Sequence, residues 1–221
     1  MQTPLIIGNW KSYKTEKEAT EWLQTWGTYP KSNDISIGIC VSATLLPLCQ
    51  RIIAKEKYDM LLGAQDISPY PEGAYTGAIN GRQLSEYATM VIIGHHERRK
   101  YFHETDEVVE AKVKEAKATG LFVIYCIEGI QHHVPVGVDV IAYEPAFAIG
   151  AAERENIHDI EKTVEDMKEI YGKHIPVIYG GSVDENNCVE ISKSESIDGI
   201  LVGRASLKVE SFYTIVSKFN K

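Results

Sequence analysis

Eight short apolar runs recur along the chain, and this recurrence limits the possible folds more than any other feature. Each run is nearly continuous in apolar residues, which is typical of strands buried on both faces of a parallel sheet. Amphipathic stretches stand between the runs, as the crossover connections of parallel strands require. The predicted strands cover residues 5–10, 35–41, 60–64, 90–93, 121–127, 138–143, 175–179 and 197–202.

Helical patterns follow every predicted strand except the fifth. Thr15 opens the first pattern with Glu18 three residues later, which is the signature of a capping box. Residues 129–137 contain Pro135, begin and end with glycine, and show no helical periodicity, so this fifth crossover is predicted to be a loop or a single turn. The helices are predicted over residues 15–26, 43–55, 81–87, 106–119, 157–171, 184–192 and 206–219.

Eight strand–helix units of about 28 residues each fit an α/β protein with a single (β/α)8 barrel, at the small end of that fold's range. We expect residues 1–221 to form one domain, because no seam divides the pattern. An open doubly wound sheet is the competing architecture. Its dinucleotide-binding form is weakened because no Gly-x-Gly-x-x-Gly follows the first strand.

Composition excludes several classes of function. A net charge of -8 argues against a nucleic-acid partner, since such binding needs a basic surface. No stretch reaches the roughly 18 consecutive apolar residues of a membrane span, so we expect no membrane partner and a cytoplasmic location. The cysteines form no Cys-x-x-Cys pair, which indicates reduced thiols rather than a zinc ribbon or a disulfide framework. They are Cys40, Cys49, Cys126 and Cys188.

Polar residues stand directly after several strands, where a barrel of this kind carries its active site. Glu144 ends the sixth run. It is either a general base in a water-poor pocket or an ordinary strand-end acid that caps the next helix, and this segment alone leaves both interpretations open. The adjacent histidine pairs lack a carboxylate at metal-binding spacing, so no metal site is predicted. The other candidates at strand ends are Asn9, Lys11, His95, Ser182, Gly203 and Arg204.

Six motifs, in order, resemble those of the triosephosphate isomerase family, and the resemblance spans about residues 5 to 210. The motifs are GNWK at 8–11, YTGA at 75–78, IGH at 93–95 with ERR at 97–99, YEP at 143–145, YGGSV at 179–183 and LVG at 201–203.

The resemblance implies interconversion of dihydroxyacetone phosphate and glyceraldehyde 3-phosphate without a cofactor or a metal. It assigns proton transfer to Glu144 and donation by a neutral His95 to the substrate oxygen; this family is an established example of such pKa tuning. Lys11, paired with Glu97, would supply positive charge. Asn9 would help to hold the substrate oxygens. The implied phosphate contacts are Gly150, Ser182, Gly203 and Arg204.

Departures from the family pattern leave assembly and efficiency open. His96 stands where the family usually has serine, Arg204 stands where glycine is common, and residues 145–152 differ from the usual lid. The loop around Thr76 is predicted to pair two copies as a homodimer, with a tetramer as the second possibility because the short fifth crossover resembles the archaeal form. Two alternatives to the isomerase remain: another phosphosugar aldose–ketose isomerase, and an inactive barrel that acts as a binding protein.

Overall fold

The computed structural model describes residues 3–30, 34–145 and 156–219. Eight parallel strands pair in chain order, and the last pairs with the first to close a barrel. The predicted (β/α)8 architecture is therefore confirmed, and the open sheet is wrong. The strands are Leu5–Asn9 (β1), Ser36–Val41 (β2), Leu61–Ala64 (β3), Met90–Ile93 (β4), Phe122–Ile127 (β5), Val140–Tyr143 (β6), Val177–Tyr179 (β7) and Gly199–Val202 (β8).

Helices surround the barrel, and within the described residues none is long and apolar enough to cross a membrane. Thr15 caps the first helix in the predicted capping box with Glu18. The α-helices are Glu16–Trp26 (α1), Leu46–Glu56 (α2), Gly81–Ser85 (α3), His96–Phe102 (α4), Asp106–Ala118 (α5), Ile157–Tyr171 (α6), Cys188–Ser192 (α7) and Val209–Lys218 (α8), with 3-10 turns at Ala43–Leu45 and Arg204–Leu207.

Four helices differ from their predictions by more than two residues. Helix α4 has no counterpart among the predicted helices, because it buries none of its residues and so shows no apolar periodicity. Helix α2 begins three residues later than predicted, because residues 43–45 form a separate 3-10 turn. Helix α7 begins four residues later than predicted, since Asp184 and Asn187 hydrogen-bond each other's backbone in a turn. Helix α8 begins three residues late, because residues 204–207 form a separate 3-10 turn.

The fifth crossover is a loop, as predicted, and tyrosine side chains hold it in place. The Tyr171 hydroxyl lies 2.8 Å from the carbonyl oxygen of Ile130 and 2.7 Å from that of His132. The Tyr125 hydroxyl donates to the carbonyl oxygen of His133 at 3.0 Å. Tyrosines of the flanking elements therefore satisfy backbone acceptors that a helix would otherwise have satisfied internally.

Two apolar layers make the core. Alternate strand residues point into the barrel, where Ile7, Ile92 and Leu201 belong to one buried cluster. Their neighbours point outward and pack against the helices in a second, larger cluster. Strands buried on both faces explain why the sequence shows continuous rather than alternating apolar runs.

A buried group of ionic side chains lies below the loop that follows β3. Lys112 is only 3% exposed and donates to Asp66 and Glu104. Arg98 bridges the same two carboxylates from α4. Because buried charges must be paired, this group fixes the loop after β3 against α4 and α5.

We predict that Lys112→Met lowers the free energy of unfolding by about 3 kcal/mol, because it leaves two close carboxylates with a single cation. Urea denaturation measures the change. Lys114→Met is the matched control, since Lys114 is exposed and makes only a surface pair with Glu110. Equal effects of the two substitutions would contradict a structural role for the buried group.

Candidate active site

The end of β1 supplies a polar side chain and a cation. Asn9 is buried, and its Oδ1 accepts a hydrogen bond from the Lys11 N–H at 3.0 Å. Lys11 has a backbone φ of 51°, in the left-handed region that residues other than glycine seldom adopt. This bend turns the ammonium back over the rim, where Lys11 Nζ lies 2.7 Å from Glu97 Oε1. The predicted Lys11–Glu97 pair is present.

His95 follows β4 and caps the first turn of α4. Gly94, with φ of 73°, makes the bend from strand to helix. His95 Nδ1 accepts the backbone N–H of Glu97 at 3.2 Å. That hydrogen bond uses the lone pair of Nδ1, so the proton of the neutral ring lies on Nε2 and points into the site.

Glu144 lies just past β6. Its backbone N–H donates to the carbonyl oxygen of Ile127, the last residue of the neighbouring β5, at 2.8 Å. Its side chain is 6% exposed, with Oε1 3.3 Å from His95 Nε2. Among the described residues Oε2 is buried and has no hydrogen-bond partner. An unsatisfied buried carboxylate oxygen costs stability, and such groups concentrate at functional sites.

The two side chains shift each other's pKa. Burial is the largest single effect and raises the pKa of Glu144, but His95, the Cys126 thiol and Lys11 together outweigh it and the net pKa is lowered. Burial is the largest single effect and lowers the pKa of His95, but the carboxylates of Glu144 and Glu97 together outweigh burial and the Lys11 charge, so the net pKa is raised. Protonation of Nδ1 would break its bond from Glu97 N–H. The pKa of His95 is therefore raised only while Glu144 lies beside it. A substrate that separates the two side chains removes this effect and favours the neutral ring.

Cys126 and Gly180 shape the surroundings of Glu144, and of the two only Gly180 belongs to a motif identified in the sequence. Burial raises the pKa of the Cys126 thiol at the end of β5, and the carboxylate of Glu144 raises it further. The thiol therefore stays neutral beside the carboxylate. A Cβ at Gly180 would lie 2.7 Å from Glu144 Cγ, so only glycine fits there without displacing the acid. Cys126 lies inside the fifth strand, one residue before its end, so a search of the residues that follow each strand does not reach it.

The predicted phosphate contacts lie on neighbouring strand ends. Ser182 follows β7 with φ of 33°, and Asn187 Nδ2 donates to its carbonyl oxygen. Gly203 follows β8 and precedes the 3-10 turn that begins at Arg204, whose side chain is exposed. A Cβ at Gly203 would lie 3.6 Å from Lys11 Cε, which shows that the β8 and β1 ends meet. Gly150 and the lid at 146–152 lie outside the described residues.

His96 engages a carboxylate other than the candidate base. Its Nδ1 lies 2.5 Å from Glu128 Oε1, so the imidazole ties the start of α4 to the loop after β5. At this position, where the family usually has serine, the imidazole thus makes a contact away from Glu144. Within the described residues, no three histidine, cysteine or acidic side chains stand together in a way that could hold a metal ion.

The arrangement suits proton transfer next to a carbonyl group. A carboxylate stands on one side, and the Nε2 atom of His95 and the ammonium of Lys11 stand where they can face substrate oxygens. These donors are in place before negative charge develops, which is the condition for efficient stabilisation of an enediolate. A cleft of about 700 Å³ adjoins Asn9, Lys11 and His95 and extends toward the loop after β3.

Comparisons with known proteins show the family to which this chain belongs. A family model described as triosephosphate isomerase matches residues 4–219. A triosephosphate isomerase of Mesomycoplasma hyopneumoniae is 34% identical over 239 residues, covering 96% of this chain and 98% of the relative. One from Picosynechococcus is 36% identical over 243 residues, covering 98% and 99%.

A solved structure extends the likeness to three dimensions. The crystal structure of triosephosphate isomerase from Bartonella henselae superposes with a TM-score of 0.83 at 30% identity and covers 100% of both chains. Neither alternative function is favoured by these relatives. The chain belongs to the triosephosphate isomerase family and is an aldose–ketose isomerase that interconverts dihydroxyacetone phosphate and glyceraldehyde 3-phosphate.

Proposed function

We propose that Glu144, His95 and Lys11 carry out the isomerisation of the phosphorylated triose at the rim of the barrel. The observation that supports this proposal best is the buried Glu144–His95 pair, in which one carboxylate oxygen has no partner among the described residues. A base held in this way has one oxygen free to take a proton from carbon.

In the proposed mechanism, Glu144 removes a proton from C1 of dihydroxyacetone phosphate, and the carbonyl oxygen O2 becomes negative. The hydroxyl proton on O1 passes to O2, and Glu144 returns its proton to C2 as C1 and O1 become the aldehyde. His95 Nε2–H donates to the oxygen that becomes negative in the enediolate. The ammonium of Lys11 stabilises the same charge, and Asn9 holds the Lys11 backbone through its amide oxygen. The roles require no movement of His95, because its Nδ1 is already held by Glu97 N–H.

The phosphate group is proposed to bind Gly150, Ser182, Gly203 and Arg204. Ser182, Gly203 and Arg204 follow adjacent strands, where barrels of this fold commonly bind phosphate. The first turn after β8 has no side-chain cap in the part of the chain that the structure describes. Its Ser206 N–H already donates to the Gly203 carbonyl oxygen, so the amide groups at the very start of the turn are the ones proposed to bind an anion.

We predict that Glu144→Gln lowers kcat by at least roughly a hundredfold, since the amide cannot accept a proton from carbon. A coupled assay with glyceraldehyde 3-phosphate measures the loss. Glu128→Gln is the matched control on the same rim, because Glu128 pairs with His96 and not with the base. A comparable loss in both variants would argue against Glu144 as the specific base, and a wild type without isomerase activity would refute the proposal.

The coupled pKa values predict a particular pH dependence. The pKa of His95 in the free protein is raised above its ordinary value of 6.5, and that of Glu144 is lowered below 4.5. Activity needs the neutral imidazole and the ionised carboxylate. The value of kcat/KM, which reports the free protein, should therefore increase as pH rises through the raised pKa of His95. The value of kcat, which reports the substrate complex, should increase at a lower pH, because the bound substrate separates His95 from Glu144 and removes the effect that raises this pKa. Identical acid limbs in both profiles would contradict this interpretation.

We also propose that two copies form a homodimer through the loop around Thr76. Tyr70 and Tyr75 stack with ring centroids 4.4 Å apart and stiffen this loop, although both are exposed. Exposed Tyr101 and Phe102 lie on α4, beside the cleft that leads to the active site. This cleft could receive the same loop from a second copy, as isologous pairing requires. A tetramer is the second proposal.

We predict that Thr76→Arg weakens the dimer, because it places a charged side chain in a contact that should exclude water. Sedimentation velocity across a concentration series measures the association. Lys17→Arg, on the exposed face of α1, serves as the control. A monomeric wild type, or a Thr76→Arg variant that associates as strongly as the wild type, would refute pairing through this loop.

We propose that the protein acts in the cytoplasm as a single domain formed by residues 1–221. The four cysteines are buried and unpaired, which suits a reducing compartment. Support for one domain comes from the single closed barrel that the described residues form.

A further inference from the structure

Side chains of the β1–α1 unit hold the far end of the 3-10 turn that follows β8. Lys14 Nζ donates to the carbonyl oxygen of Leu207 at 2.8 Å. Trp22 Nε1 donates to the carbonyl oxygen of Ser206 at 3.1 Å. These carbonyl groups are consecutive, so two successive peptide planes at the end of the turn are oriented by a different part of the barrel.

The Lys14 ammonium is itself held in place. It lies 5.0 Å from the centroid of the Trp10 ring, and that ring is fully buried. Cation–π contact adds to the hydrogen bond with Leu207, and partial burial lowers the pKa of Lys14. A long, flexible side chain with both contacts acts as a fixed tether rather than a solvated surface charge.

The backbone of Lys14 supports the same interpretation. Its φ of 74° lies in the left-handed region, where a residue with a Cβ is strained. Glycine would adopt this conformation freely. The lysine therefore occupies a position that favours glycine, and its side chain makes contacts that glycine could not make. Strain of this kind persists where surrounding contacts stabilise it.

The tethered turn also meets the residues proposed for chemistry. Ser206 Oγ lies 2.7 Å from the Gly203 carbonyl oxygen and 3.4 Å from that of Asn9. The Lys11 side chain passes close to Gly203, since Lys11 Cε would be in van der Waals contact with a Cβ at that position. Asn9 ends β1, and Lys11 and Lys14 both lie in the connection from β1 to α1. The residue that contacts Leu207 is therefore only three positions from the proposed catalytic lysine.

We propose that Lys14 is a positioning residue that holds the phosphate-binding turn at a fixed place relative to Lys11. It acts through the Leu207 carbonyl group and touches neither the reacting carbons nor the phosphate. The inference rests on the proposed function, because it takes Gly203 and Arg204 as phosphate contacts. Without the tether, binding energy from the phosphate would be used less effectively to align the triose.

The test compares a phosphorylated with an unphosphorylated substrate. Lys14→Met keeps an unbranched apolar stem but removes the donor and the charge. We expect kcat/KM for glyceraldehyde 3-phosphate to fall about tenfold and the Kd for inorganic phosphate to rise by a similar factor, as for the loss of a charge-assisted hydrogen bond. The kcat/KM for D-glyceraldehyde, which has no phosphate, should stay unchanged.

Two further variants separate the tether from general effects. Lys17→Met removes a positive charge from the neighbouring exposed face of α1 and should change neither substrate's kinetics. Lys14→Gly removes the tether but relieves the strained φ, so it should fold at least as well as the wild type while losing phosphate affinity. If Lys14→Met fails to fold, Lys14→Gly carries the test.

An equal fall in kcat/KM for both substrates would overturn the proposal, since it would show general structural damage. Unchanged phosphate affinity in both Lys14 variants would overturn it as well. Binding of inorganic phosphate, followed by NMR titration, does not depend on turnover. If the wild type proves inactive, the proposed function fails, and the comparison of phosphate Kd values still decides whether Lys14 positions the turn.

Discussion

The hydrogen-bonded ladder between β1 and β8 closes the sheet, and it runs from Leu5 opposite Gly199 to Gly8 opposite Val202. The strands approach so closely that a Cβ at Gly199 would lie 2.0 Å from the Leu5 carbonyl oxygen. Closure brings the carboxyl ends of all the strands to one rim. The acid that follows β6 and the cation that follows β1 can therefore serve one substrate, although more than half of the chain separates them.

The rim contains groups that are unfavourable for folding. Glu144 keeps a buried oxygen without a partner among the described residues, and Lys11 adopts a left-handed backbone conformation. Each feature costs about 1–3 kcal/mol. The continuous core between strands and helices stabilises the fold enough to retain them. Chemistry then benefits, because donors and base are already oriented when charge develops on the substrate.

Much of the fold and of the candidate site could be predicted from local sequence. Continuous apolar runs are typical of strands covered on both faces, so their number and order predicted the barrel. The missing fifth helix followed from Pro135 and the flanking glycines. Residues that follow a parallel strand lie at the rim where such a barrel carries its active site, and this position indicated Glu144, His95 and Lys11. Helix α4 could not be predicted in this way, because it buries no residue and its sequence shows no apolar periodicity.

The strands, the shortened crossover and the polar residues at the strand ends follow from local sequence, since these depend on neighbours along the chain. Which of those residues meet depends on how the barrel closes. The tertiary structure placed His96 against Glu128 rather than the base, set Gly180 against Glu144, and brought Lys14 to the carbonyl group of Leu207. Such contacts join segments that are far apart in sequence, and their distances follow from barrel closure and strand register, which no local pattern specifies.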